Sequence, residues 1–279
     1  MPIVEIDGSG MNVVDVGRGD AVLLAHGFLC DAEMWGPQLA ALSRRHRVIV
    51  PELWGHGGSG PLPRRTRDMR DLARQHLTLL DKLSIGACTL VGFSLGGRSM
   101  LEMALLAPMR VRGLVLMSTY AGLEPPQSLE RYTALIESVE AAGWIMPPVA
   151  DAIVSLYFSA NAARTAPHQP PLYRERLLGW NRARLADSIL PLARMNFDRR
   201  DLMPELARLE MPALVMHGAH DAPRPPAEGR RMAERIGCPF VEIPDSGHIA
   251  SLENPAFVSA ALCDFLRRIA SGEHATARA

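Results

Sequence analysis

The sequence predicts an α/β fold: a mostly parallel sheet covered by helices on both faces, with a helical segment inserted between two strands. Three observations predict it. Short apolar runs alternate with segments of helical spacing along most of the 279 residues, which is typical of βα units. The central runs are apolar throughout, as strands buried on both faces are. Between residues 120 and 209 the alternation stops, and no convincing strand pattern replaces it.

The first part of the chain alternates strand and helix patterns. Residues 13–16 predict an edge strand, and the apolar runs at 21–25 and 47–51 predict two buried strands. Helical spacing over 35–44 and 68–83 predicts the helices that follow these two strands. Because a crossover helix returns the chain to the same end of the sheet, we expect the strands to be parallel.

A serine flanked by glycines follows the next predicted strand. The apolar run at 87–92 predicts a strand and residues 95–107 predict a helix, so Ser94 lies between them in the sequence GFSLG. Such a strand-to-helix turn exposes a serine hydroxyl at the end of a sheet. The alternative is that Ser94 only caps the helix, since serine is favoured at helix starts. Residues 111–117 predict the following strand.

The domain organisation predicted is one core in two parts with a helical cap between them. Residues 1–119 form the first part of the core, residues 120–209 the helical cap, and residues 210–270 the second part. The second part carries strand patterns at 213–217 and 240–243 and helical patterns at 226–236 and 255–269. Residues 271–279 are small and polar, so we expect a disordered tail.

Composition points to a small-molecule partner. Thirty basic and thirty acidic residues cancel, and no basic tract with interleaved aromatic residues suggests binding to nucleic acid or to an anionic membrane. No apolar run approaches the ~20 residues that span a bilayer, and the N-terminus lacks the pattern of a secretory signal. The four cysteines form no CxxC pair, so we expect a cytoplasmic protein. A homo-oligomer stays open.

Ser94 needs partners to act as a nucleophile, because a serine hydroxyl is weak at neutral pH without a base and an orienting acid. His248 directly follows the predicted strand at 240–243, and Asp221 directly follows the one at 213–217. The carboxyl ends of parallel strands meet at one edge of a sheet, so residues that follow these strands converge. We therefore predict Ser94, Asp221 and His248 as a catalytic triad.

Other groupings fit less well. Asp245 lies in the same loop as the predicted base and would have to fold back onto its ring, so Asp221 is favoured. His217, His220 and Asp221 resemble a metal cluster, but no second cluster at a zinc-type spacing accompanies them, and we expect no metal. The GxGxxG pattern at 55–60 matches a dinucleotide fingerprint. Prolines precede any following helix, however, so we expect no cofactor.

Two backbone amides are candidates for an oxyanion hole. The N–H of Leu95 lies next to the serine at a helix start, where N–H groups point outward unpaired. The N–H of Phe28 lies in a glycine-containing turn directly after the strand at 21–25. Such donors hold the negative oxygen of a tetrahedral intermediate. His26 and His56 are expected to be structural.

Five motifs carry a resemblance to a known family. In chain order they are HGF at 26–28, GHGGS at 55–59, GFSLGG at 92–97, GAHD at 218–221 and SGH at 246–248. With these motifs in this order, the chain resembles α/β-hydrolases of the serine esterase type over nearly its whole length. Residues 218–229, together with the cap, are similar to 3-oxoadipate enol-lactonases and related small-acid carboxylesterases. Trp54 replaces an arginine usual in such relatives, so we expect a differently shaped entrance there.

The resemblance implies a serine hydrolase that cleaves an ester or lactone of a small molecule through an acyl-enzyme intermediate, without a cofactor. A serine nucleophile argues against epoxide hydrolase and haloalkane dehalogenase chemistry, which in this superfamily uses an aspartate. Carbon–carbon bond hydrolase, thioesterase, perhydrolase and lyase activities stay open, because they use the same triad. A slow-turnover small-molecule receptor on the same fold is a further alternative.

Overall fold

The structure, a computed structural model, describes residues 2–273. Eight strands form one sheet: β1 Ile3–Ile6, β2 Ser9–Val16, β3 Ala21–Ala25, β4 Arg47–Pro51, β5 Cys88–Phe93, β6 Val111–Met117, β7 Ala213–Gly218 and β8 Phe240–Ile243. They lie in the order β1-β2-β4-β3-β5-β6-β7-β8. Strands β3 to β8 run parallel, whereas β2 is antiparallel to both of its neighbours.

Helices cover both faces of this sheet, which confirms the predicted fold class. The α-helices are α1 Gly36–Leu42, α2 Met69–Lys82, α3 Leu95–Leu106, α4 Pro126–Ala142, α5 Pro147–Tyr157, α6 Ala162–Thr165, α7 Gln169–Leu178, α8 Arg182–Arg184, α9 Leu190–Phe197, α10 Pro226–Ile236, α11 Ala250–Glu253 and α12 Pro255–Ser271. Shorter 3-10 turns lie at Ala32–Trp35, Pro108–Arg110 and Met203–Arg208, and a π-helical turn at Leu185–Ile189.

The middle strands are buried on both faces, which explains their apolar sequences. Every residue of β3 and β5 is buried. Helix α2 packs against α3, and α1 packs against α12.

Asp68 starts α2 by accepting the N–H of Asp71 at 2.9 Å, a cap that typically stabilises a helix by ~1 kcal/mol. The helix then buries an apolar face with Leu72, Leu79 and Leu80.

The edge of the sheet differs from the prediction. The sequence predicts an edge strand at 13–16, but β2 begins at Ser9 and lies second, and the unpredicted β1 forms the edge. Asp7 and Gly8 connect the two strands with φ of 52° and 79°. An Asp-Gly pair is a strong hairpin signal, because both residues tolerate the positive φ that a tight hairpin turn requires. The four residues of β1 are too few for their alternation to stand out.

Helix α12 is longer than predicted. It continues through Ser271, which the sequence assigns to the tail, and ends where Gly272 adopts a left-handed conformation with φ of 70°. Glycine is favoured there because it has no Cβ to clash. The rest of the predicted tail, residues 274–279, lies outside the described residues. Within residues 2–273, no helix combines the length and apolarity needed to cross a membrane.

The segment at 120–209, here called the helical insertion, connects β6 to β7. It contains helices α4 to α9, and within the described residues no strand interrupts it. The end of α5 connects it to two loops of the rest of the chain. The Tyr157 carbonyl accepts the N–H groups of His248 and Ile249 at 3.0 and 3.3 Å, and the Tyr157 hydroxyl donates to the Phe28 carbonyl at 3.3 Å. The insertion therefore contacts two loops at the carboxyl ends of the strands.

Candidate active site

Ser94 lies on a strained turn between β5 and α3. Its φ and ψ are 52° and −117°, a region that residues other than glycine rarely occupy. A Cβ on Gly92 would lie 2.5 Å from the Gly97 Cα, and one on Gly96 would lie 2.4 Å from the His26 carbonyl oxygen. The turn therefore requires glycine on both sides of the serine. Within residues 2–273, the Ser94 side chain caps no N–H of α3, so the capping interpretation lacks support.

The structure brings the three predicted side chains into one hydrogen-bonded row. The Ser94 Oγ lies 3.1 Å from His248 Nε2, and His248 Nδ1 lies 2.9 Å from Asp221 Oδ1. Both partners are buried, with 1% of His248 and 3% of Asp221 exposed. Each residue follows the carboxyl end of its strand, β5, β7 or β8, which is why residues far apart in sequence meet here.

Asp221 is held as a carboxylate. Burial alone disfavours its charged form, but His248, His217 and the Ser118 hydroxyl together hold the pKa of Asp221 below its usual value. The Arg224 N–H also donates to Asp221 Oδ1 at 3.0 Å. A carboxylate there fixes the ring proton on His248 Nδ1, so that Nε2 faces Ser94 as an acceptor.

Asp245, the alternative acid considered for the triad, does not contact the His248 ring. Asp245 has a side chain that is 60% exposed and lies 3.8 Å from Arg164 of the helical insertion. Asn161 donates to its Oδ1 at 3.5 Å. The structure therefore places Asp221, and not Asp245, against the His248 ring.

The two predicted oxyanion amides flank the serine. Within residues 2–273, neither the Phe28 N–H nor the Leu95 N–H has a hydrogen-bond acceptor. The Cys30 N–H donates to the Gly27 carbonyl at 3.2 Å, which closes a tight turn around Phe28. A Cβ on Gly27 would lie 3.0 Å from the Ser94 Cβ, so this turn passes directly beside the serine. Two amides without an acceptor therefore lie in the chain segments adjacent to Ser94.

His26 and His56 support the loops around the site rather than reacting. His26 Nε2 accepts the Leu53 N–H at 2.9 Å, and His56 Nε2 accepts the Leu29 N–H at 3.1 Å. Burial lowers the pKa of His26 to about 4 and that of His56 to about 3, so both rings are neutral at pH 7. Leu29 has a φ of 64°, a conformation that costs ~1–3 kcal/mol in a residue other than glycine. The hydrogen bond from the Leu29 N–H to His56 helps to hold this conformation.

Trp54, which stands where relatives usually have an arginine, holds the turn after β4 through burial and one hydrogen bond. It is fully buried, and its indole N–H donates to Gln75 Oε1 at 2.7 Å. Glu52 accepts from Asn12 Nδ2 at 2.7 Å and from the Gly58 N–H at 2.6 Å. The turn after β4 is therefore held by a buried indole and a carboxylate.

Sequence reasoning missed two residues that border the site. Tyr157 has its ring centroid 5.0 Å from that of His248. Glu253 accepts the Gly247 N–H at 2.9 Å and the N–H and hydroxyl of Ser159 at 3.1 and 2.5 Å. Neither residue stands in a motif, and the direction of a side chain on an inserted helix has no sequence signal. The signal in the sequence for Glu253 is that a glutamate follows His248 within the same stretch of chain.

Two cavities differ in their position relative to the triad. An apolar pocket of about 100 Å³ lies between the helical insertion and the turn at Phe28. A larger cavity of about 420 Å³ is lined by Ala213 and Leu214 at the start of β7, which is the opposite end of that strand from Asp221. Within residues 2–273, no three His, Cys, Asp or Glu side chains are grouped to hold a metal ion.

A mostly parallel sheet that gathers a serine, a histidine and an acid at the carboxyl ends of its strands defines the class of this protein: it is an α/β-type hydrolase. The chain belongs to the alpha/beta hydrolase fold family, whose family model matches residues 20–255. The resemblance inferred from the five sequence motifs is confirmed.

Known proteins similar to this chain include enzymes of several activities. The chain is 30% identical over 250 residues to the dihydrolipoyllysine-residue acetyltransferase component of the acetoin cleaving system of Pseudomonas putida, covering 90% of this chain but 64% of that protein. Its fold is similar to that of a thermophilic esterase from Thermogutta terrifontis (TM-score 0.85, 31% identity, 96% and 99% of the two chains). It is also similar to the enol-lactonase from Burkholderia xenovorans LB400 (TM-score 0.82, 25% identity, 95% and 100%).

Proposed function

We propose that this protein is a serine hydrolase that cleaves a carboxylic ester or lactone of a small molecule through an acyl-enzyme intermediate. The observation that carries the proposal is the row of hydrogen bonds from Ser94 through His248 to Asp221, at 3.1 and 2.9 Å. This is the arrangement that turns a serine hydroxyl into a nucleophile. The similarity to an esterase and to an enol-lactonase agrees with ester or lactone cleavage.

The first half of the reaction forms the acyl-enzyme. The Ser94 Oγ attacks the carbonyl carbon of the substrate, and its proton passes to His248 Nε2. The resulting imidazolium is stabilised by the Asp221 carboxylate, while the N–H groups of Phe28 and Leu95 hold the negative oxygen. When the tetrahedral intermediate collapses, the ester C–O bond breaks and the leaving oxygen takes the proton from His248.

The second half releases the acid. Water attacks the acyl carbon on Ser94 and gives its proton to His248 Nε2. Collapse of the second intermediate breaks the bond to the Ser94 Oγ, which recovers the proton from His248, and the carboxylic acid leaves. Removing one oxyanion-hole donor from a serine hydrolase typically costs about 3 kcal/mol of this stabilisation.

Ester turnover by wild type and by Ser94→Ala tests the proposal. With p-nitrophenyl acetate, we expect kcat/KM of Ser94→Ala to fall by about a thousandfold or more, because no other group replaces the nucleophile. Ser155→Ala, which removes the hydroxyl of an exposed serine on α5, serves as the matched control and should keep the wild-type rate. Equal rates for wild type and Ser94→Ala would contradict the proposal, as would a wild type that hydrolyses no ester.

A further inference from the structure

The apolar pocket is lined almost entirely by hydrocarbon. Its walls come from helices α4, α5 and α9, from the turn at Leu185–Ile189 and from Phe28 and Leu29. Tyr132 and Tyr157 alone among the described lining residues carry polar side-chain atoms. The Tyr157 hydroxyl donates to the Phe28 carbonyl at 3.3 Å, and the Tyr132 ring stacks on Phe197 with centroids 4.4 Å apart. The pocket therefore offers a ligand mainly aliphatic and aromatic surface.

Two walls of the pocket are shared with the active site. The side of Phe28 lines the pocket, and its N–H is one of the two amides beside Ser94. Tyr157 also lines the pocket, and its ring packs on the ring of His248. The pocket and the triad therefore lie next to each other, with Phe28 and Tyr157 between them.

The arginines near the pocket do not form part of its lining. Leu190, Ala193 and Phe197 line the apolar pocket, at spacings that place them on one helix face. Met195, on another face of α9, lines a separate cavity of about 290 Å³ together with Arg199. Arg131 lies 5.4 Å from the centroid of the Tyr132 ring, but its side chain does not line the apolar pocket.

The buried ions behind the pocket are paired with one another. Arg224 contacts Glu124 and lies 3.4 Å from Glu228, and Arg199 lies 2.5 Å from Glu124. Within the described part of the chain, no Asp, Glu, Lys, Arg or His lines the apolar pocket. A carboxylate that entered it would lose its water without gaining a cation, which is strongly unfavourable.

We propose that this pocket binds an uncharged hydrocarbon group of the substrate ester, and that the enzyme discriminates against substrates with a carboxylate at that position. The proposal rests on the proposed hydrolase function of Ser94. It separates this chain from 3-oxoadipate enol-lactonases, whose substrate name denotes a lactone of a dicarboxylic acid. The hydrocarbon is an alkyl chain or a single ring on the acyl or the alcohol side of the ester.

Two ester series test the proposal and distinguish the sides. p-Nitrophenyl acetate, butyrate and hexanoate vary the acyl group, and methyl, butyl and hexyl acetate vary the alcohol. We expect kcat/KM to rise by about fourfold for each methylene buried, until the pocket is filled, in either the acyl series or the alcohol series. The series that rises identifies the side of the ester that the pocket binds. The p-nitrophenyl monoester of adipic acid, as the carboxylate-bearing partner of the hexanoate, should be at least about tenfold poorer.

A substitution on α5 links the preference to this pocket. Val149 lines it, whereas Val154 lies on the same helix and does not. Val149→Phe should lower kcat/KM for the preferred long ester about tenfold more than it lowers kcat/KM for methyl acetate, because only the long group needs the space. Val154→Phe, the matched control, should leave the whole profile as in wild type.

The outcomes separate the two proposals. If p-nitrophenyl acetate is hydrolysed through Ser94 but both series are flat, or if the adipate monoester is the better substrate, the pocket assignment is wrong and the hydrolase function stands. Equal effects of Val149→Phe and Val154→Phe also overturn the assignment. If Ser94→Ala retains ester hydrolysis, the proposed function itself fails, and the pocket assignment fails with it.

Discussion

Ser94 has a backbone conformation that is unfavourable for a residue with a side chain, and two hydrogen bonds hold it there. Its N–H donates to the Met117 carbonyl at 2.9 Å, and its carbonyl accepts the Thr119 hydroxyl at 2.7 Å. A positive φ at a residue other than glycine costs ~1–3 kcal/mol and persists only where the neighbouring structure fixes it. The bonds to the end of β6 provide that restraint, and they leave the Ser94 hydroxyl facing His248.

Asp221→Asn tests the orienting role of the acid. We expect kcat/KM for p-nitrophenyl esters to fall by about ten-thousandfold, because the amide favours the wrong His248 tautomer and cannot stabilise the imidazolium. Steady-state kinetics give the ratio, and a circular dichroism spectrum checks the fold. Asp245→Asn is the matched control, since that side chain is largely exposed, and it should change the rate by no more than about twofold. A large loss in Asp245→Asn with an active Asp221→Asn would reverse the assignment.

At the scale of single residues, the sequence indicates which three side chains lie together. Ser94, Asp221 and His248 stand in motifs whose order and position after predicted strands determine where they meet. Tyr157 and Glu253 could not be found this way, because their positions depend on how the helical insertion packs on the loop that carries His248. No local pattern encodes a contact between two such distant segments.

Among the elements, the loop between β8 and α11 is the one whose position controls the base. Glu253 accepts the Gly247 N–H and the N–H of Ser159 at 2.9 and 3.1 Å. Burial raises the pKa of this carboxyl. A Cβ on Gly247 would lie 2.6 Å from the Ser159 nitrogen, so the loop and the end of α5 are in close contact. Glu253 is therefore a positioning residue for the loop.

Glu253→Gln should loosen this loop. The new amide group donates where the carboxylate accepted, so at least one N–H or hydroxyl loses its acceptor. We expect unfolding free energy to fall by about 1–3 kcal/mol and kcat to fall by about tenfold with KM little changed, because His248 is less well aligned. Glu242→Gln on β8, an exposed carboxylate paired with Arg230, is the control. A destabilised Glu253→Gln enzyme with wild-type kcat would show that Glu253 only stabilises the fold.

Most elements follow from the sequence because apolar spacing and burial agree. The strands at Ala21–Ala25 and Phe240–Ile243 and the helix at Pro226–Ile236 have the predicted bounds. The 3-10 turn at Ala32–Trp35, before α1, was missed, although Asp31 caps it by accepting the Glu33 N–H. Short turns of this kind depend on loop contacts rather than on periodicity.

On the scale of the whole molecule, buried neutral histidines couple folding to pH. Burial lowers the pKa of His76 to about 4 from its usual 6.5. His26 and His56 are shifted in the same direction. Below pH 6.5 the unfolded chain binds protons that the folded state takes up only near pH 4. Stability is therefore lost as pH falls through this window.

His76→Gln should flatten the acid dependence of stability. The variant lacks one group that binds a proton in the unfolded chain but not in the folded one. The slope of the unfolding free energy against pH should therefore be smaller by about 1.4 kcal/mol per pH unit between pH 6.0 and 4.5. Urea unfolding at several pH values measures it. His168→Gln replaces an exposed histidine and should keep the wild-type slope. Identical slopes for wild type and His76→Gln would mean that His76 takes up its proton equally in both states.

The mostly parallel sheet with helices on both faces could be anticipated from the sequence, whereas the strand order and the pocket could not. The fold class follows from the alternation of strand and helix patterns and from a family resemblance carried by five motifs. The pocket depends on the packing of α4, α5 and α9 against Phe28 and Leu29. Their apolar residues serve equally well as helix-packing residues, so periodicity does not distinguish a lining residue from a core residue.

The most direct test of the central claim is covalent labelling of the native protein with a fluorophosphonate, read by peptide mass spectrometry. If Ser94 is an activated nucleophile, one phosphonyl group per chain should attach to Ser94 with loss of fluoride, and labelling should be absent in Ser94→Ala and in heat-denatured protein. A native protein that stays unlabelled, or that is labelled at another residue in both wild type and Ser94→Ala, would contradict the account.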